Sequence, residues 1–345
     1  MQLFIVCSFQ RVMRKTPGYW YSDKRDVRYY FLAPLSWMFC LLVFIRRFFY
    51  RINILSSKSL PVPVIVAGNI TVGGSGKTSL VIWMANLLKE NGYKPGLVSR
   101  GYGGKAGQWP QRVTMDIDHM VVGDEAIMLA SRTECPMAVG PDRVAAIQSL
   151  LECSDVDVII SDDGLQHYAM YRDVEIAVVN GERRFGNGRY LPAGPLREGV
   201  SRLQEVDMIV VNGQGEQREY PMSLCNLSAV NMRTNETRKL SEFTNRKVHA
   251  VAGIGYPAFF FNGLKKYQID VVEHEFPDHY QYNLQDLRFE EGAIVMMTEK
   301  DAVKCMRFAN KFFWYVPVNV TLGNDFGQHL LMLLEKAIKR KGMMR

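Results

Sequence analysis

Lys77 and Thr78 close the stretch Gly68-Asn-Ile-Thr-Val-Gly-Gly-Ser-Gly-Lys-Thr78, whose residue types suit a grip on a polyphosphate. Small residues let successive backbone N–H groups turn toward one anion. The lysine adds a point charge for the β- and γ-phosphates, and the threonine hydroxyl is a ligand for Mg2+. Thr71, Val72, Gly73, Gly74, Ser75 and Gly76, with Lys77 and Thr78, are therefore the expected contacts of a nucleoside triphosphate such as ATP. The strict phosphate-loop pattern has glycine where this chain has Thr71.

Acids supply the complementary chemistry. Val156-Asp-Val-Ile-Ile-Ser-Asp-Asp163 is an apolar run ending in two carboxylates. A carboxylate at the C-terminal end of a strand next to a phosphate loop holds Mg2+ directly or through water, and that role is expected of Asp162, Asp163 or both. His167 follows closely and reads equally as a cleft residue or as a hydrogen-bonded structural histidine. Asp124 and Glu125 open a helix after Gly123. Acids there serve as caps and dipole partners, yet an aspartate is also the usual base for a hydroxyl that attacks phosphorus. Arg197, in the loop Arg189 to Glu198, is a candidate for bidentate phosphate binding, although an arginine in such a loop is more often simply solvated. Pro277-Asp-His279 and Thr298-Glu-Lys-Asp301 are further polar clusters, weak taken singly.

These residues need a scaffold, and the hydropathy pattern supplies one. Val62 to Ala67 reads as a buried strand leading into the glycines, and Ser79 to Glu90 as the helix leaving them. Further apolar runs lie at Pro95–Ser99, Pro136–Gly140, Val156–Ser161, Val174–Val179 and Val206–Val211, with helical patterns over Gly123–Ala130 and Asp142–Leu151. Such alternation predicts a parallel sheet covered by helices. A polar segment from Asn212 to Tyr220 marks the expected junction, followed by strands Lys247–Gly253, Ala293–Met297 and Phe312–Val316, a helix after Pro257 and a closing amphipathic helix from Leu330 to Lys341. The expected division is 1–55 for an N-terminal extension and anchoring helix, 56–212 for a phosphate-loop core, and 213–345 for a C-terminal α/β unit.

The N-terminal part differs in character. The net charge of +7 is matched by the surplus of nine Lys/Arg over Asp23 and Asp26 within residues 1–51, so the rest is neutral overall. That is a local basic patch, not a general affinity for nucleic acid. Between Arg28 and Arg46 lie seventeen uncharged residues, at the short limit for a membrane span, with Pro34 placed to begin a helix. Basic residues at both ends favour a helix lying in the interface, its aromatic rings at headgroup depth, over a spanning or a core helix. Met1 to Val12 lack the pattern of a signal peptide, and Met13 offers a second start. The six scattered cysteines form no C-x-x-C pair, which points to reduced thiols rather than disulfides or structural zinc.

The chain resembles the tetraacyldisaccharide 4'-kinase family, the kinases of lipid A biosynthesis in Gram-negative bacteria. The resemblance is carried in order by Ala33-Pro-Leu-Ser-Trp37, Gly68 to Thr78, Ser99-Arg-Gly-Tyr-Gly-Gly104, Gly123-Asp-Glu125 and Asp162-Asp-Gly-Leu-Gln-His167. It continues through Leu191-Pro-Ala-Gly-Pro-Leu-Arg-Glu198, Phe276-Pro-Asp-His279 and Thr298-Glu-Lys-Asp-Ala-Val-Lys304. Thr71 fits that family's own loop. The resemblance implies a P-loop NTPase-like parallel-sheet core, a second, smaller α/β domain and an N-terminal membrane-associated helix, on the cytoplasmic face of the inner membrane. It implies transfer of the ATP γ-phosphate, with Mg2+, to the 4'-hydroxyl of an acylated glucosamine disaccharide 1-phosphate. By the same resemblance Asp124 is the base and His279 its partner, with Lys77 and Arg197 catalytic, and Thr78, Asp162, Asp163 and Glu125 around the metal. Residues 19–51 then serve the membrane surface, and no obligate protein partner is implied. Ala126 and Tyr280 depart from the family pattern, where proline and a second histidine are expected. Two other readings use the same loop: a kinase for a different lipid or sugar, and a membrane-bound ATPase switch, which usually has lysine where this chain has Val72.

Overall fold

The computed structural model describes residues 17–22, 26–114 and 116–343. The readings of Met1 to Met13, and basic residues such as Lys24 and Arg25, lie outside them. Strands β1 (Val64–Gly68), β2 (Pro95–Ser99), β3 (Gln111–Arg112), β4 (Met137–Val139), β5 (Val158–Asp162), β6 (Val174–Asn180), β7 (Met208–Asn212) and β8 (Glu219–Cys225) follow one another in one sheet. A second sheet takes β9 (Ser228–Asn231), β10 (Thr237–Lys239), β11 (Lys247–Ala252), β12 (Asp270–Glu275), β13 (Ile294–Thr298) and β14 (Phe313–Val316). The last strand, β15 (Asn319–Leu322), returns to the first sheet.

The first sheet runs β15-β8-β7-β6-β1-β5-β2-β4-β3, parallel from β8 through β4. Its centre is covered on both faces, and β1 shows why its residues are apolar throughout. Successive strand side chains point to opposite faces. Ile65 and Ala67 enter the core shared with helix Lys77–Glu90, while Val64 and Val66 enter the core on the other face with helix Arg143–Leu151. Val64 sits opposite Ile159 of β5, and Ile65 opposite Val174 of β6. This register sets the phosphate loop after β1 beside the acids that end β5.

Parts of the stretch 213–345 join the first sheet. β8 pairs with β7, β15 pairs with β8, and the closing helix Asn324–Met343 drives Phe326, Leu330 and Leu334 into the first core. The polar residues after Asn212 are a surface crossover within one sheet, and a crossover is as polar as a linker. The second sheet, with its own cores, occupies the stretch between.

Pro34 does not begin a helix, as expected, but lies inside one. The helix runs Val27–Arg51 and starts where the Asp26 carboxylate caps the Arg28 N–H at 2.9 Å. Ala33, Ser36, Phe39 and Val43 face the body, and the Ser36 hydroxyl donates to the Tyr190 carbonyl at 2.7 Å. Phe31, Trp37, Leu41, Phe44 and Phe48 are exposed on the remaining surface.

One buried ion pair braces the second sheet. Asp301 and Lys304, both fully buried, lie 2.8 Å apart, and the Asp301 carboxylate also accepts from Gly253 N–H at 2.8 Å and the Thr298 hydroxyl at 2.6 Å. Asp301→Ala strands the Lys304 charge in the interior and is expected to cost about 3–5 kcal/mol. Urea unfolding of the variant beside the wild type measures this, and a loss below about 1 kcal/mol, the scale of an exposed pair, would refute the account.

Candidate active site

The phosphate loop leaves β1 and ends at Gly76, whose φ of +90° precedes helix Lys77–Glu90. Few residues but glycine hold that backbone without strain, and a Cβ there would also meet the Met222 methyl. Thr71 departs from the strict pattern because its segment is extended, not turned. Thr71 bridges to Leu196, Val72 N–H donates to the Pro195 carbonyl at 2.9 Å, and Arg197 N–H donates to the Ile70 carbonyl at 2.7 Å. This short ladder fixes Arg197 beside the loop. The turn itself begins at Gly73.

Asp163 follows β5 with a φ of +50°, a left-handed conformation that aspartate tolerates better than most residues. The backbone turn aims its carboxylate at Arg197, whose Nη1 lies 3.0 and 2.9 Å from the two oxygens, and at Lys77 Nζ, 3.5 Å away. Burial alone would raise this carboxyl, but the two cations hold it well below the usual range. Asp162 is the opposite case. Burial first, and then the negative charge of Glu125, push it up to about 7, and its Oδ1 is buried without a hydrogen-bond partner. An orphaned carboxylate oxygen in that setting fits a divalent cation, whose charge would replace the missing partner. Among the described residues no preformed cluster of three or more His, Cys, Asp or Glu is present to hold a metal unaided.

Asp124 is the first residue of helix Asp124–Thr133, and among the described residues its side chain caps no backbone N–H. Gly123 occupies the cap position with a φ of +93°, where a Cβ would strike the Tyr102 carbonyl. The loop Ser99–Gly104 thereby packs against the start of the helix. Asp124 Oδ2 instead meets His279 Nδ1 at 3.2 Å, across 155 positions of sequence. Burial would raise the Asp124 carboxyl, but the hydrogen bond with His279 and the charge of Lys300 outweigh it, so it lies well below the ordinary carboxylate range.

Lys300 is the residue that sequence reasoning missed. Its Nζ lies 3.1 Å from Glu125, 3.4 Å from Asp278 and 3.4 Å from His279 Nε2, tying the helix start to the second sheet. Its charge is also the first cause of the lowered Glu125 carboxyl. The only signal was its place in Thr298-Glu-Lys-Asp301, where Thr298 caps the following helix. Lys300→Met is expected to lower kcat roughly ten- to a hundredfold, the worth of one charge-assisted hydrogen bond. Steady-state kinetics decide it, and an unchanged kcat would reduce Lys300 to a surface tether.

These groups share one cavity of about 720 Å³, lined by the phosphate loop, Glu125, Asp162, Asp163, Arg197 and His279, and reaching Phe39 and Arg46 of the N-terminal helix. The structure thus brings together the loop, the acid pair, Arg197 and His279 around one space, with Asp124 buried in contact with His279. His167 also lines it, buried, and is pushed down to about 4 by burial and by Arg143.

The sequence model of the family Tetraacyldisaccharide-1-P 4'-kinase matches residues 28–335. The chain is 51% identical over 323 residues to the tetraacyldisaccharide 4'-kinase of Nitrosococcus oceani, covering 94% of this chain and 95% of that one. It is 43% identical to the enzyme of the same name from Coxiella burnetii, covering 96% and 99% respectively. The crystal structure of LpxK from Aquifex aeolicus in complex with ATP superposes with a TM-score of 0.79 at 29% identity, covering 89% of this chain and all of that one. Family match, near-complete coverage and shared fold lead to one conclusion: this chain belongs to the tetraacyldisaccharide-1-P 4'-kinase family.

Proposed function

We propose that this enzyme transfers the γ-phosphate of ATP to the 4'-hydroxyl of a tetraacyl glucosamine disaccharide 1-phosphate, the lipid A phosphorylation step. The observation that carries the assignment of roles is the 3.2 Å contact between the buried Asp124 and His279, which lines the same cavity as the phosphate loop. Asp124 accepts the proton of the acceptor hydroxyl as its oxygen attacks the γ-phosphorus and the bond to the β-bridging oxygen breaks. His279 is a positioning residue that fixes the carboxylate. Lys77 and the loop N–H groups from Thr71 to Thr78 hold the donor's phosphates, and Arg197 meets charge that builds on the transferred group. Thr78, Asp162 and Glu125 would hold Mg2+, which neutralises polyphosphate charge, whereas Asp163 is engaged by Arg197 and Lys77 and acts through them. In this reading residues 1–55 anchor the enzyme, the first sheet and closing helix form the phosphate-loop domain, and the second sheet forms a smaller domain bearing His279 and Lys300.

The helix Val27–Arg51 is long and apolar enough to cross a membrane by length and composition. Its seat on the body through Ala33, Ser36, Phe39 and Val43 supports an interfacial position on the cytoplasmic face of the inner membrane, where an acylated substrate resides. Changing Phe31, Leu41 and Phe44 together to Asp is expected to release the enzyme from anionic phospholipid vesicles. Sedimentation with vesicles tests this, and undiminished binding would transfer the role elsewhere.

The reaction itself is tested with γ-labelled ATP and tetraacyl disaccharide 1-phosphate in mixed micelles. Labelled bisphosphorylated lipid is the expected product. Steady ATP hydrolysis with no labelled lipid would overturn the kinase reading in favour of an ATPase switch.

A further inference from the structure

Two helices meet where the second sheet joins the first. Helix Asp124–Thr133 belongs to the core of the first sheet through Ala126 and Leu129. Helix Glu299–Cys305 follows β13 of the second sheet, and the Thr298 hydroxyl caps its start by accepting from Asp301 N–H at 3.2 Å. On the first helix Glu125 and Arg132 are seven positions apart, two turns along one stripe and about 10 Å along the axis. On the second, Glu299 and Lys300 are neighbours. Lys300 reaches Glu125 at 3.1 Å, and Glu299 reaches the other way, its two oxygens 3.1 and 2.9 Å from Arg132 Nη1.

The second arm of the Arg132 fork is used as well. Its Nη2 donates to Asn319 Oδ1 at 2.8 Å, and Asn319 opens β15, the strand that returns from the second sheet to the first. One planar guanidinium thus holds both a helix and a returning strand, which a lysine could not do. The Arg132 and Glu299 side chains are 22% and 12% exposed, so solvent screens their contact less than it would a surface pair. The signs of the four charges fix the register: an acid faces Lys300 and a base faces Glu299. Sliding one helix along the other would bring Glu125 toward Glu299 and Arg132 toward Lys300, and like charges brought together oppose it.

What this register serves lies one residue away. Lys300 Nζ is 3.4 Å from both Asp278 and His279 Nε2, and His279 has a left-handed backbone with a φ of +58°. A residue other than glycine keeps such a conformation when its surroundings hold it there. Resting on the kinase reading above, we propose that Arg132 and Glu299 are positioning residues for phosphate transfer. Their pairing sets Lys300, and through Lys300 it sets the contact of His279 with Asp124. Neither residue grips the donor or takes the proton. The pair acts by fixing where the second sheet delivers its histidine along the helix that begins with Asp124.

The test is a double-mutant cycle on phosphate transfer from γ-labelled ATP to the lipid acceptor in mixed micelles. Arg132→Gln and Glu299→Gln are each made in the wild type and in the Lys300→Met enzyme. In the wild type, Arg132→Gln is expected to lower kcat roughly tenfold, the scale of a small misplacement, and by no more than Lys300→Met itself, with KM for ATP unchanged. Glu299→Gln keeps the shape, gives up the charge and should act in the same direction by a smaller factor; it decides the matter if Arg132→Gln fails to fold. In the Lys300→Met enzyme either change is expected to cost about twofold or less, because the group it positions is gone. Equal losses in both backgrounds would mark a pair that only holds the fold together and would overturn the proposal. So would an unchanged kcat in both single variants, or a raised KM for ATP. A Lys300→Met enzyme with the wild-type kcat would remove Lys300 and the pair together, and a wild type that labels no lipid would overturn the kinase reading itself.

Discussion

Asp124→Asn is expected to lower kcat by about three orders of magnitude, within the range that a positioned general base supplies, while KM for ATP changes little. Asparagine keeps the size and polarity of the side chain, and Gly123 rather than Asp124 occupies the helix cap, so the backbone has no reason to move. On the role proposed for Asp124, what is lost is the acceptor for the hydroxyl proton. The Asp124 carboxyl is held well below the ordinary range, because the His279 hydrogen bond and the Lys300 charge outweigh burial. A carboxylate so stabilised is a weak base, and the negative charge of the donor's phosphates must raise it as the cleft fills. The sign of the shift also sets a linkage. Stability from this pairing is present above the unfolded pKa and is lost as pH falls through the lower folded one, so neutral solution keeps it whole. His279→Ala should then act through kcat with KM intact, by a smaller factor than Asp124→Asn. Steady-state phosphate transfer to the lipid acceptor measures both, and an Asp124→Asn enzyme within tenfold of wild type would remove Asp124 from the chemistry.

The parts of this site that sequence displays are those built within one strand–loop–helix unit. The runs Val64–Gly68 and Val158–Asp162 are buried on both faces, so their sequences are apolar throughout and announce themselves. Local adjacency then puts Lys77, Thr78, Asp162 and Asp163 near one another. The Asp124–His279 contact has no such local signature, since it closes between two sheets, and only the family resemblance suggested it. Lys300 stayed hidden for the same reason. Among the strands, β8 carries Pro221 and β12 reads Asp-Val-Val-Glu-His-Glu at the edge of its sheet, half in solvent. Proline and charge are poor strand signals, so pairing rather than pattern makes both strands. β15 is four residues long and belongs to the first sheet only because β8 offers it an edge.

Lys77→Ala carries the second large effect. A roughly hundred- to thousandfold fall in kcat/KM is expected, the scale for removing one preorganised donor from a developing anion. The structure shows why the fold should survive. Lys77 Nζ is 3.5 Å from Asp163, but Arg197 is closer, at 2.9 and 3.0 Å, and alone keeps the carboxylate neutralised. Asp163 is about one-third exposed, so the lost pair is worth at most about 1 kcal/mol. The same geometry makes Lys77 releasable. Its long, single contact yields to incoming phosphate, while the two-point Arg197 contact stays and continues to hold the loop. Arginine at position 77 should not rescue, because a planar guanidinium cannot take the place of a compact ammonium in a closed backbone cradle. A second possibility is that Lys77 matters only by restraining Asp163, and the two roles separate in a double variant. If restraint were its whole role, Lys77→Ala combined with Asp163→Asn would be no worse than Asp163→Asn alone. If Lys77 grips the donor, the combination must fall further, and KM for ATP must rise whenever Lys77 is absent, whatever stands at position 163.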